Sequence, residues 1–255
     1  MEIRSFDTYD EKIYYLHPEL SPDTPIYKYM DFDFFLDMVK RKKFYVSIKR
    51  EFEDRNEKRL PIKQVMPFRA VGGHLFKDKT FVEDEVNVYM DRSHDFDEIK
   101  EWPVSCWTLR SDENYLMWKS YTSKIGVRIQ TTIDKFVDSI TPNDYTIYCG
   151  KMTYCGYNPS QTIKELAFTK SHHFSNEEEL RFYFEPQKNS CRKELSDSIF
   201  IELLMLLYVN CGNVIDEVIL SPFIKDGAAD MICDFLNRTE DLAKCSIKKS
   251  NIRLQ

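Results

Sequence analysis

The 255-residue sequence is poor in chain breakers, with 7 Gly and 10 Pro. Linkers are therefore scarce, and no repeat or low-complexity tract is present. No G-x-G-x-x-G follows a candidate strand and no Walker loop exists, so the familiar glycine-rich phosphate cradles are excluded. A G-x-S-x-G nucleophile elbow is also missing. The 7 Cys are scattered without a C-x-x-C pair, which argues against a disulfide framework and against a zinc site. No apolar run reaches membrane-spanning length; the most apolar window, Ile199–Val209, is too short, so no membrane partner is expected. An excess of positive charge is lacking too. The net charge of −6 does not favour a broad nucleic-acid surface. The Lys40-Arg41-Lys42-Lys43 cluster reads either as a local basic groove or as the solvated end of a helix. The start, MEIRSFDTYDEK, is too charged for a signal peptide, and a reducing cytoplasm is the expected location.

What remains is the composition of a globular protein with a sizeable core: 42% hydrophobic, 31% charged and 14% aromatic residues. Cys106 and Cys233 sit in apolar surroundings and read as small buried hydrophobes. Alternation and helical spacing then predict a mixed α+β order. Ile26–Met30 reads as a strand. A helix capped by Asp31 or Asp33 follows, with Phe35, Met38, Val39 and Lys42 in helical spacing, and Lys43–Ile48 as the next strand. Further strands are expected at Val104–Leu109, Gly126–Gln130, Tyr145–Tyr154, Val214–Leu220 and Cys245–Lys248. Helices are expected at Asn114–Thr122, Thr131–Ile140, Gln161–Lys170 and Asp226–Arg238. Ile199–Leu207 fits strand or helix equally. Residues 61–101 suggest a helical insertion, placed where acceptor recognition or a partner protein would fit.

The chemistry-bearing stretch is Phe168–Phe184, FTKSHHFSNEEELRFYF. As a strand, Glu179–Phe184 places Glu179, Arg181 and Tyr183 on one face and Leu180, Phe182 and Phe184 on the other. The polar row is either a solvated face with an ion pair or the lining of a cleft. A strand beginning at Glu177 would set two carboxylates side by side and raise an apparent pKa. His172-His173 point apart on any regular element and make poor joint metal ligands. Asp54, Asn56 and Glu57 suit a divalent cation or a solvated loop. Met117, Trp118 and Tyr121 are core residues or walls of a pocket.

The succession of these segments resembles a bacterial family catalogued as domain of unknown function 2971. Its blocks match here as Tyr27-Lys28-Tyr29, Phe44–Ser47, Phe52–Glu57, Cys106–Thr108, Met117–Thr122 and Gly126–Ile129. They continue with Lys170, Phe174, Glu177, Glu179 and Arg181, and then Ile215–Pro222. The resemblance covers residues 25–255, treated as one α+β domain, and leaves 1–24 as an N-terminal extension. Two positions depart from it. Glu53 and Arg55 stand where the family loop has Asn and Pro, and Phe174 stands in place of Trp.

More distantly, the order is similar to DarT-type DNA ADP-ribosyltransferases. That likeness implies an ADP-ribosyltransferase-like fold, a mixed central sheet with flanking helices. It also implies NAD as substrate, no metal, and a nucleic-acid or protein acceptor, in a toxin or phage-defence effector. On this resemblance Glu179 is the catalytic carboxylate, Arg181 orients it or pairs with phosphate, and Glu177 is its rival. Lys28 and Tyr27 lie at the first-strand position that meets ribose or phosphate. Tyr45 and Ser47 lie near the nicotinamide, with Trp118 and Tyr121 as walls. The chemistry suits such groups, because cleaving the nicotinamide–ribose bond builds positive charge on the ribose that a carboxylate stabilises. An NAD glycohydrolase on the same site, a non-catalytic binding or regulatory module, and a metal-dependent nuclease using Asp54, Glu57 and Glu179 are the alternatives.

Overall fold

The computed structural model describes residues 4–7, 13–17, 19–47, 102–140, 145–155, 167–186, 204–208 and 214–253. The expectations at 48–101, including Asp54, Asn56, Glu57 and the insertion at 61–101, lie outside them. In chain order the strands are β1 (Arg4–Asp7), β2 (Ile13–Leu16), β3 (Pro25–Asp31), β4 (Lys43–Ser47), β5 (Val104–Thr108), β6 (Gly126–Thr132) and β7 (Tyr145–Lys151). They continue as β8 (Thr153–Tyr154), β9 (Thr169–Lys170), β10 (Glu179–Pro186), β11 (Leu204–Tyr208), β12 (Glu217–Leu220) and β13 (Ser246–Lys249). The helices are α1 (Phe32–Arg41), α2 (Tyr115–Tyr121), α3 (Ile133–Ser139) and α4 (Asp226–Asn237). Among the described residues, one 11-stranded mixed sheet runs β1-β2-β7-β10-β5-β3-β6-β12-β13, with β4 and β11 branching from β5. Residues 1–24, expected as an extension, carry β1 and β2, and β2 joins the sheet parallel to β7.

One face of the sheet is apolar because every second residue of its strands is. Leu180, Phe182 and Phe184 of β10, Ile147 of β7, Trp107 of β5 and Ile129 of β6 are all buried there. Helices α1, α3 and α4 close over this face. Phe35, Met38 and Val39 of α1 and Phe136 of α3 supply their apolar stripes. Phe136 is the hub, with its ring 4.8 Å from both Trp107 and Phe182 and 5.0 Å from Phe44. Each such side chain contributes roughly 1.5–3 kcal/mol by leaving water.

The helix ends differ from expectation in instructive ways. Asp31 stands at the α1 N-cap, yet its carboxylate accepts from Ser123 N and leaves the helix end alone. Lys42, expected on the helix, ends it in the left-handed region at φ 56°. Asn114 does cap α2, accepting from Leu116 N at 2.8 Å. Strand β6 runs on to Thr132, whose hydroxyl caps α3 two residues later than the sequence implies. The helix expected at Gln161–Lys170 is corrected at its end. Thr169–Lys170 is strand β9, paired parallel with β8, because Thr153 N donates to the Phe168 carbonyl at 2.7 Å. Where the sequence left strand and helix open, Leu204–Tyr208 is a strand pairing with β4.

The opposite face carries its own layer. Trp102, Tyr148, Phe168 and Tyr183 form a second apolar cluster, with Phe168 edge-on to Tyr183 at 5.2 Å. Gly150 makes this possible, because a Cβ there would lie 2.7 Å from the Phe168 ring. Farther along, α2 docks through Trp118, which packs against Tyr29 and Ile219.

Candidate functional site

The register of β10 decides which groups meet. Glu179, Arg181 and Tyr183 pair across to Thr108, Cys106 and Val104 of β5, so all six share the face opposite the main core. Tyr27 pairs with the same Thr108 and shares that face too. Between Glu179 and the preceding 3-10 helix, His172–Glu177, stands Glu178 in the left-handed region at φ 43°. This unusual backbone turns the chain so that two near-neighbour carboxylates converge. Lys170 Nζ lies 2.7 Å from Glu177 and 3.1 Å from Glu179. Strand β9 holds Lys170 in place, and the Phe174 ring lies 4.5 Å from its ammonium.

Glu179 is fully engaged. Arg181 grips it from two nitrogens, at 2.6 and 3.0 Å, and Cys106, paired across from Arg181, shares its face. Its backbone N–H donates to the Tyr154 hydroxyl at 2.7 Å. Burial pushes the Glu179 carboxyl up, but the Arg181 charge and hydrogen bonds, with Lys170, outweigh it and hold the group at about 2. The condition for an expected rise, a strand beginning at Glu177, is not met, because Glu177 belongs to the 3-10 helix and the strand starts at Glu179. Arg181 is 1% exposed and also donates to the Tyr183 hydroxyl at 3.2 Å, so it supports Glu179 and is closed to a ligand phosphate. Tyr183 in turn donates to the Ala167 carbonyl at 2.9 Å.

Glu177 is the less buried of the two carboxylates that Lys170 holds. It sits in the 3-10 helix rather than on the strand, and Tyr121, at the exposed end of α2, donates its hydroxyl to Glu177 Oε1 at 2.9 Å. Burial pushes the Tyr121 phenol far up, and the Glu177 charge adds to this, so it stays a donor. The Thr108 hydroxyl donates to the Glu177 carbonyl at 2.6 Å and fixes the turn to the end of β5.

Other expected site residues are not brought together. Lys28 follows Tyr27 on β3 and so falls on the opposite face from Glu179. There its ammonium donates to the Cys106 carbonyl at 2.7 Å and lies 5.7 Å from the Phe44 and Trp107 rings, with its pKa lowered by burial. It cannot meet a phosphate beside Glu179. Trp118 is fully buried, edge-on to Tyr29 at 4.8 Å, with its indole N–H donated to Glu113 at 3.2 Å. It is core and no pocket wall. Tyr27 keeps to the right face but is buried beneath the Arg128 guanidinium, 4.6 Å from its ring. Tyr45 and Ser47 lie on β4, which among the described residues meets β5 at the single pair Ser47–Val104.

Three residues of this site escaped the sequence reading. Tyr154, Cys106 on the Glu179 face, and Glu178 as the turn leave no periodic mark. Cys106 is half-buried, and desolvation with the Glu179 charge raises its thiol to about 12, which makes it a poor nucleophile. His172 and His173 are exposed, their rings 3.9 Å apart. Among the described residues no three His, Cys, Asp or Glu side chains gather as a metal set.

Fold and site together define a mixed α+β protein with a buried carboxylate–guanidinium cluster beside a partly exposed Glu177–Tyr121 pair. No family model, curated protein or solved structure matches the chain.

Proposed function

We propose that the chain is an NAD-consuming, ADP-ribosyltransferase-like protein in which Glu177, rather than Glu179, is the carboxylate that meets the ribose. The observation carrying this reading is the division of labour between the two. Glu179 is buried with its oxygens filled by Arg181 and Lys170, whereas Glu177 is partly exposed and takes one hydrogen bond on each oxygen, from Lys170 and from Tyr121, which leaves it lone pairs for a ribose hydroxyl. In the step proposed, the C1′–nitrogen bond of NAD breaks and nicotinamide leaves with the electron pair. Glu177 accepts a hydrogen bond from a ribose hydroxyl and stabilises the positive ribose. An acceptor nucleophile, or water, then bonds to C1′ and gives up its proton. The Lys170–Glu179–Arg181 cluster keeps Glu177 from moving.

The test is incubation with labelled NAD, with and without nucleic-acid and protein acceptors, following nicotinamide release and label transfer. Wild type is expected to release nicotinamide, and Glu177→Gln to lose at least a hundredfold in rate, about 2.7 kcal/mol or more of transition-state stabilisation. Transfer of label separates a transferase from a glycohydrolase.

A second reading, a non-catalytic binding or regulatory module, is favoured by the full pairing of Glu179 and by Lys28 lying on the far face. Equal inertness of folded wild type and Glu177→Gln with every acceptor would establish it over the enzyme.

A further inference from the structure

With Lys28 on the other face, the candidate site lacks the cation that the resemblance assigns to it, and most cations near its carboxylates are occupied. Lys170 binds Glu177 and Glu179. Arg181 is taken by Glu179 and Tyr183. Arg128 lies over Tyr27 and donates to the Ser111 carbonyl at 2.8 Å, its side chain 5% exposed. Arg110 differs. It leaves the end of β5 where that strand is stitched to the Glu177–Glu178 turn. Leu109 N donates to the Glu178 carbonyl at 2.9 Å, and Arg110 N to the Thr108 hydroxyl at 3.1 Å. Its guanidinium is about one-third exposed, makes only a loose 3.4 Å contact with the half-exposed Glu178 carboxylate, and leaves its buried Nε–H without an acceptor.

We propose that Arg110 is the anion-binding residue of this site, taking the pyrophosphate of a dinucleotide in exchange for Glu178. The proposal rests on the NAD reading above. Physically, a guanidinium offers a fork of donors that matches phosphate oxygens, and a doubly anionic group outcompetes one solvent-exposed carboxylate. The left-handed backbone at Glu178 sends Glu177 and Glu179 to Lys170 and leaves Glu178 itself to hold Arg110 until ligand arrives.

Calorimetric titration of ADP-ribose, and separately of inorganic pyrophosphate, tests this on wild type, Arg110→Ala, Arg110→Lys and Glu178→Gln. Wild type is expected to bind both, more weakly at high salt. Arg110→Ala should bind about tenfold or more weakly. Arg110→Lys should fall between, and Glu178→Gln should bind a few-fold more tightly, because the competing charge is gone. Thermal unfolding should leave these surface variants near wild type. No binding by wild type, equal binding by Arg110→Ala, or Glu178→Gln weakening in step with it would each overturn the proposal. Nicotinamide release is read separately. Arg110-dependent binding without NAD turnover would sink the enzyme reading alone, and turnover indifferent to Arg110 would sink this one alone.

Discussion

Replacing Glu179 by Gln should unfold the protein more readily, for reasons that can be worked from the cluster. Arg181 is 1% exposed, and its charge is met by Glu179 at 2.6 and 3.0 Å. The substituted amide keeps the shape but removes the countercharge that meets the buried guanidinium at two of its nitrogens. Breaking a buried pair from one side costs about 3–5 kcal/mol. The proton linkage gives a compatible figure: a carboxyl held at about 2 instead of 4.5 contributes roughly 3 kcal/mol. The sign follows from the depressed value. This stability is fully present above pH 4.5 and is lost as the pH falls toward 2. Urea unfolding at neutral pH should show the midpoint of Glu179→Gln lowered with unchanged m-value, and melting lowered by on the order of 10 °C. The gap from wild type should close as the pH approaches 2. A Glu179→Gln, Arg181→Met double variant should regain much of the loss, since no charge is then stranded. If Glu179→Gln stays within about 1 kcal/mol of wild type at neutral pH, the cluster does not hold the sheet as argued.

Two further perturbations bear on the same face. Gly150→Ala puts a methyl 2.7 Å from the Phe168 ring and should cost about 1–3 kcal/mol in chemical denaturation, with Phe168→Leu relieving part of it. At Glu178, Gly should leave stability at or slightly above wild type while Val lowers it by about 1–2 kcal/mol, because only Gly escapes the left-handed penalty; equal urea midpoints for the two would refute this.

Strand β10 was legible because its alternation is unbroken, and α1 and α4 because their apolar residues repeat at helical spacing. The order of elements also followed from runs and breaks. Lys28 shows what such reading cannot supply. In Tyr27-Lys28-Tyr29 the charged residue looks outward, since aromatic residues normally seek the core. Pairing with Thr108 puts the tyrosines on the Glu179 face, and Lys28 is tolerated beneath because a carbonyl and two aromatic rings receive its ammonium. That choice depends on neighbours distant in the chain. Lys170 reads as helical for a similar reason: its two-residue strand exists only by pairing with Thr153–Tyr154. Glu178 in the left-handed region is hidden as well, because Gly or Asn is the usual mark of such a turn.

The inversion of roles between the two glutamates changes how any loss of function should be interpreted. Glu179 is the residue expected from the sequence to be the catalytic carboxylate, yet its geometry is that of a buried strut. A Glu179 variant would lower activity through instability whether or not the site reacts with NAD. Glu177 escapes this confusion. Its replacement leaves the Glu179–Arg181 pair intact and Lys170 still bound to Glu179 at 3.1 Å, so the fold retains its buried charge balance. The proposed chemistry therefore has to be judged at Glu177 under conditions where the protein remains folded. Glu179 reports on the framework that makes the judgement possible.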